Sequence, residues 1–395
     1  MKKFLAFLLV MLLSVSCIAA QAAPADITVC VDGTEVDFDV KPIIIDDRTM
    51  VPIRKTVEVL GAEVTWDDSI KTATITFDDR VVKMTQNDPN IYINGIRIAM
   101  DTAVRNVDSR ILIPVRYLAE ALDAAVMWDH NQRTVEIVTE RHYVNIGENK
   151  ITIGDPISSV ELIFGEPDRI DSGNDRFDWY VYNSDYEKFM MVGVLDNKVI
   201  SIYTAFTDFS FDGGIKYGDV IEDEIKADSY KIYTDTLNDN SVYGVWVGTD
   251  YSTDSFMKDN FDDVRDAAEL EISDITNAFR YKNGLKVLTE DSTATKVSRK
   301  HSQDMADNDY FSHTNLKNES PWDRYDNAGG KYYACTESIA GGEYAAQNTF
   351  DSWLNSSDHR ANMLHEKATF AGVGIGYNED SEYGFYITQM FSYKK

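Results

Sequence analysis

Between residues 27 and 139, apolar and polar positions alternate in short runs and twice switch to helical spacing. Each unit opens on a strand and a tight turn, "VDGTEV" and then "INGIRI", and Asp-Gly and Asn-Gly are the strongest short hairpin signals. A short helix follows "VPIR" and "IPVR"; in the second unit Leu118, Ala121 and Leu122 share one face. Alternating "TATITF" and "TVEIV" close the units. Gly33, Pro52, Arg54, Glu58 and Trp66 recur as Gly95, Pro114, Arg116, Glu120 and Trp128, each 62 residues later, so the segment is a duplication. The two tryptophans read as packing at the helix–sheet contact.

The middle segment, 143–265, predicts strands at "FDWYVYN", "KFMMVGVLDNKVISIYTAF" and "VYGVWVG", with a turn at Asp196-Asn197. "IGDPISSVELIFGEPDRID" predicts a short helix with Val160 and Ile163 on one face, then a Gly-Glu-Pro turn. "IKYGDVIEDEI" repeats its opening, which suggests two half-domains that each start β then α. No catalytic constellation is visible here.

From about Glu271 the pattern becomes helical. Ser273 or Asp274 reads as an N-cap and Gly284 as a stop. Ala294, Val297, His301 and Met305 form one stripe; Ala346, Phe350, Trp353 and Leu354 form another. Two strands end the chain, with Val373 and Ile375 alternating with glycines and Phe385, Ile387, Gln389 and Phe391 on one face. Helices around a small antiparallel sheet follow, with the last strand central.

Length and charge narrow the function. A chain of 395 residues holds several cores. Residues 1–22 read as a signal peptide: Lys2 and Lys3, an apolar run from Phe4 to Val15, then Ala20-Gln21-Ala22. Cys17 raises lipid anchoring, but Ser14 stands where such signals want Leu. No later run of about 18 apolar residues predicts a membrane span. The expectation is a secreted, extracellular or envelope-associated protein. A formal net charge of −28 argues against nucleic acid and anionic headgroups as partners. Cys30 and Cys335 form neither a disulfide framework nor a zinc pattern, and two thiols are expected rather than a bridge.

Candidate chemistry gathers near the end, where His301, His313, His359 and His365 account for four of the six histidines. His301, on an apolar stripe, reads as core. "HEKAT" at His365 fails the H-E-x-x-H zinc pattern because Thr369 replaces the second histidine. His313 and His359 occupy polar settings, read as helix ends, that suit a cleft.

Three resemblances follow from these residues. The duplicated segment resembles the copper amine oxidase N-terminal-like domain, which implies a small α+β accessory module and no copper; only His130 lies within it. Residues 143–265 resemble the domain that often precedes bacterial CAP domains. "LTEDSTATKVSRKHSQDMADNDYFSHTN", "TESIAGG", "SWLNSSDHRANML", "FAGVGIGY" and "FYITQMFS", within 272–393, resemble the CAP (SCP-like) superfamily in its bacterial form. That resemblance implies an α-β-α sandwich whose cleft holds two histidines and two acids. By position these are His313, His359 and Glu337. Ser356 stands where the second acid of animal and plant relatives falls, and Asp358 is a candidate substitute.

The fold class expected is therefore multi-domain α+β: a duplicated β-hairpin/helix module, a β-rich α+β middle domain and a C-terminal CAP domain. His313, Glu337 and His359 suit a site for zinc or another divalent cation. They also suit a hydrogen-bonded cluster pinning three loops, and less readily a general base oriented by Glu337. No G-x-S-x-G elbow is present, and Ser312 is a poor nucleophile beside His313. Arg360 and Asn362 read as structural. The leading expectation is a non-enzymatic binding module for a cell-wall or extracellular ligand. The alternatives are a metal-dependent hydrolase of peptide or cell-wall polymer, and a binder of apolar small molecules.

Overall fold

The computed structural model describes residues 26–173, 177–222, 225–227, 229–248, 257–342 and 345–394. The expected signal peptide, Cys17 and the side chain of Cys335 lie outside the described residues. The fold is mixed α+β, with eight α-helices among the described residues.

In the duplicated module, Asp32-Gly33 and Asn94-Gly95 take positive φ at both turn positions, as the tight hairpins they close require. α1 (Ile53–Val59) and α2 (Val115–Ala121) follow their proline N-caps. Trp66 and Trp128 pack against the shared core. The strands Arg48–Pro52 and Arg110–Pro114 pair antiparallel, with Val51 opposite Ile113, Pro52 opposite Leu112 and Met50 opposite Pro114. Val51 and Ile113 are equivalent positions of the two copies, so a local two-fold axis passes between them. Cys30 is buried on the first strand, Thr28–Val31.

The middle unit is built on a seven-stranded sheet. Asp196 and Asn197 both take positive φ in the turn joining Met190–Leu195 to Lys198–Ala205. α3 (Ile157–Phe164) forms where expected, but its buried side chains are Ile157 and Val160, while Ile163 is exposed. The second β-then-α opening does not form: the described residues after Ile215–Lys216 continue as turns and bridges, and no helix follows. Asp219 instead ties the segment down by accepting the Lys216 amide.

α4 (Met257–Lys282) overturns the expected cap at Ser273 or Asp274. Both residues are interior to the helix; Ser273 bonds the Glu269 carbonyl and Asp274 meets Arg169 of the middle unit. α4 places Ile272, Ile275, Ala278 and Phe279 in one core with Trp179, Phe189 and Tyr203 of the middle unit and Phe350, Trp353 and Val373 of the C-terminal unit. The two units thus share a hydrophobic core, the main source of their mutual stability.

The C-terminal sheet runs Thr289–Glu290, Phe370–Tyr377, Phe385–Lys394, Tyr332–Gly342, so the last long strand is interior. Ile387 and Phe391 join the core beneath α4 and α7 (Ala346–Leu354). The opposite face meets α5 (Ser292–Asn308) and α6 (Pro321–Asn327) through Tyr386 and Met390. Glycines let α5 lie directly on the sheet: a Cβ at Gly374 would fall 1.9 Å from the Arg299 nitrogen, and one at Gly372 2.1 Å from that of Thr295. α8 (Ser357–Met363) completes the unit. Arg280, fully buried on α4, donates to the carbonyls of Lys286, Met363, His365 and Ala368 and so fixes the loop that follows α8.

Candidate functional site

Three segments meet at the cleft. Glu337 lies on the strand Tyr332–Gly342 with its side chain 1% exposed. His313 sits in the loop between α5 and α6, its side chain 51% exposed. Arg324 projects from α6, which begins with a Ser320/Asp323 capping box and Pro321 in its first turn.

Glu337 organises the group. His313 Nδ1 lies 2.9 Å from Glu337 Oε1, and Arg324 Nη2 donates to Glu337 Oε2 at 2.5 Å. Arg324 Nη1 donates to the His313 carbonyl at 2.7 Å. Asn362 of α8 donates to the Glu337 carbonyl at 3.0 Å and to Ser338 Oγ at 3.1 Å. A buried carboxylate is costly unless paired, and here both oxygens are engaged. With Nδ1–H donating to the carboxylate, the His313 Nε2 lone pair is left for a ligand.

His359 is the third member. It does not close an α-helix, as the sequence suggested. α7 ends at Leu354, Ser356 takes the N-cap position of a new helix, and His359 stands in the first turn of α8. It is half-buried beside Trp353, ring centroids 6.4 Å apart. Its Nδ1 is buried without a hydrogen-bond partner among the described residues. Burial, then the neighbouring His313, push its pKa below the ordinary histidine value; Asp358 opposes them. The imidazoles therefore sense each other, although no hydrogen bond joins them. Asp358 is exposed on the first turn of α8. Ser356 makes no side-chain cap bond.

Other candidates resolve into structure. His301 is buried, gives its Nε2 to the Ser312 carbonyl at 2.9 Å, and is held down to about 4 by desolvation, with Arg324 adding to the effect. Ser312 accepts the Thr314 amide and is not aligned with His313. Arg360 reaches out of the domain and grips Asp235 of the middle unit with both Nη atoms, at 2.6 and 2.7 Å. Among the described residues no group of three or more His, Cys, Asp or Glu side chains is arranged to hold a metal ion.

Arg324 escaped sequence reasoning because nothing in "PWDRYDN" marks its direction. A second constellation escaped because its members are scattered. His142 Nδ1 lies 2.6 Å from Asp212 Oδ2, and Nε2 lies 3.2 Å from Ser229 Oγ. The order of groups is that of a hydrolytic triad. However, Glu140 Oε2 stands 3.3 Å from the same Nε2. With a carboxylate against each ring nitrogen and Phe211 and Tyr230 flanking it, the ring is tied into its surroundings as a strut.

Comparison with known proteins agrees with this architecture. Residues 274–391 match the model of the cysteine-rich secretory protein (CAP) family. The C-terminal unit belongs to the CAP family. Ahead of this CAP domain, residues 30–137 match the copper amine oxidase N-terminal domain model and 153–242 the CAP-associated N-terminal model. The uncharacterized membrane protein YlbC of Bacillus subtilis is 27% identical over 273 residues, covering 56% of this chain and 79% of that protein. The uncharacterized protein YkwD of the same organism is 38% identical over 125 residues, covering 32% of this chain; the chain spans 47% of that relative's length. An extracellular protein containing an SCP domain from Bacillus anthracis superposes with a TM-score of 0.51 at 24% identity, covering 61% of this chain and 94% of that one. This last likeness is one of fold. Among the described residues no helix is long and apolar enough to cross a membrane.

Proposed function

We propose that this chain is an exported protein whose CAP cleft binds a cell-wall or other extracellular component without catalysing a reaction. The observation that carries the reading is the state of Glu337, whose oxygens are spent on His313 and Arg324. A carboxylate so engaged holds three segments in place and orients the His313 imidazole, the part of a binding cleft rather than of a complete catalytic set. Ser312 is not aligned with His313, which counts against a serine-type hydrolase. The expected leader at residues 1–22 supports export. The apolar-ligand alternative draws no support from a cleft built of imidazole, carboxylate and guanidinium. The test is co-sedimentation with purified cell wall and with lipid vesicles. Retention lost in His313→Ala/His359→Ala supports the reading; passage of the wild-type protein through every envelope fraction ends it.

A divalent cation is a second occupant of the same cleft, favoured by the orphaned, deprotonated His359 beside His313. The fit is partial. Glu337 stands behind His313 as an orienting partner rather than a ligand, so the chain itself offers two imidazoles. Zinc prefers four ligands, and the remainder would come from water or the bound molecule. Calorimetric titration with zinc distinguishes the cases: equal heats from wild type and the double alanine variant remove the metal from the proposal.

A further inference from the structure

The N-terminal module contains one unit twice, and the structure covers only one copy. In the second copy, α2 turns Arg116 and Glu120 toward the Leu195–Lys198 hairpin of the middle unit. Arg116 Nη2 lies 3.9 Å from Asp196 Oδ2, and Glu120 exerts the largest of the charge effects on half-buried Lys198. Beside them Ala125 and Met127 are buried in one core with Val192 and Val194. This copy is seated permanently on its neighbour.

The equivalent face of the first copy is open. Arg54 and Glu58, the counterparts of Arg116 and Glu120, are exposed on α1 and form no ion pair among the described residues. They line a groove of about 870 Å³ together with Lys55, Phe38, Thr65 and Trp66. The counterparts of Ala125 and Met127 are Glu63 and Thr65, both exposed. The duplication therefore keeps the charge pair and loses the apolar pair. Opposite charges set orientation and partner choice, while buried apolar area prolongs a contact. Keeping the first without the second makes a selective, short-lived contact.

We propose that the groove of the first copy docks a β-turn of a partner protein carrying a carboxylate and, two residues later, an ammonium group. Its carboxylate would face Arg54 as Asp196 faces Arg116, and its ammonium would feel Glu58 as Lys198 feels Glu120, beyond ion-pair distance. Arg54 and Glu58 stand one helical turn apart, about 6 Å, and a tight turn spaces its side chains similarly.

The probe is a cyclic hairpin peptide presenting Leu-Asp-Asn-Lys at its turn, fluorescently labelled and titrated onto the full mature chain. Saturable binding, weakened about tenfold or more by Arg54→Glu, is the expected result. Exchanging Asp and Lys in the peptide should restore binding to Arg54→Glu/Glu58→Arg. Both substitutions lie at exposed helix positions, and circular dichroism confirms folding. No binding at about 1 mM peptide, or binding indifferent to Arg54→Glu, overturns the proposal. So does displacement of the peptide by N-acetylglucosamine oligomers, which would make the groove a sugar site. His313→Ala/His359→Ala must bind the peptide as wild type does, so this test and that of the CAP cleft fail separately.

Discussion

Two clusters in this molecule pair carboxylates with an arginine, and they serve opposite ends. In the CAP cleft, one arginine meets one carboxylate and an imidazole remains half in solvent. Between the middle and C-terminal units, Arg169 alone faces three acids. It grips Asp171 at 2.6 and 2.7 Å and Asp274 at 2.7 Å, while Glu271 lies buried nearby. Asn183 and Tyr186 satisfy the other oxygen of Asp274. Burial, with Asp171 next in weight, pushes Glu271 up to about 8, and burial also raises Asp274. The cleft balances its charge and exposes a functional group. The interface holds excess acid protonated and exposes almost nothing. A charge cluster thus reads as a ligand site through what it leaves unspent, not through its acid count.

The comparison can be broken most sharply at Arg169. Arg169→Ala strands two buried aspartates, and urea unfolding should show a loss of about 3–5 kcal/mol. Arg324→Met in the cleft should cost less, on the order of 2 kcal/mol, because His313 and nearby solvent still serve Glu337. Glu271→Gln sharpens the contrast through pH. The folded pKa of Glu271 stands above its unfolded value of 4.5, so its stabilising contribution is whole below that pH and is lost as pH rises through about 8. The variant should therefore melt a few degrees, about 3–6 °C, above wild type near pH 9 and match it near pH 5. His313→Ala is the smallest change: less than about 1 kcal/mol in stability, since its hydrogen bond to Glu337 lies half in solvent, yet complete loss of envelope retention.

Much of this was legible in the sequence because it rests on periodicity. The duplication, the stripes of α5 and α7 and the alternating face of the last strand are local patterns, and the structure keeps each of them. Besides Ile163, which turns outward from α3, three expectations failed where tertiary contacts outweighed local signals. Ser273 and Asp274 look like caps, but the preceding helix continues because Ile272 is needed in the shared core. "GDVIEDEI" offers a helix start, and its Asp219 is spent on a turn. The helix before His359 breaks at Ser356. The cleft pair His313 and Glu337 was reachable through family resemblance. Arg324 was not, because its direction depends on how α6 packs against the strand that follows it.

α4 belongs to two domains at once, and this bears on how the chain can be cut. A gene fragment starting near residue 272, where similarity to the CAP family begins, would amputate the first half of that helix and present Phe279, Phe350 and Trp353 to water without Phe206 and Tyr243 over them. Such a product invites aggregation. The middle and C-terminal units must therefore be kept together, and the core that Ala125 and Met127 share with Val192 and Val194 ties the duplicated module to them as well.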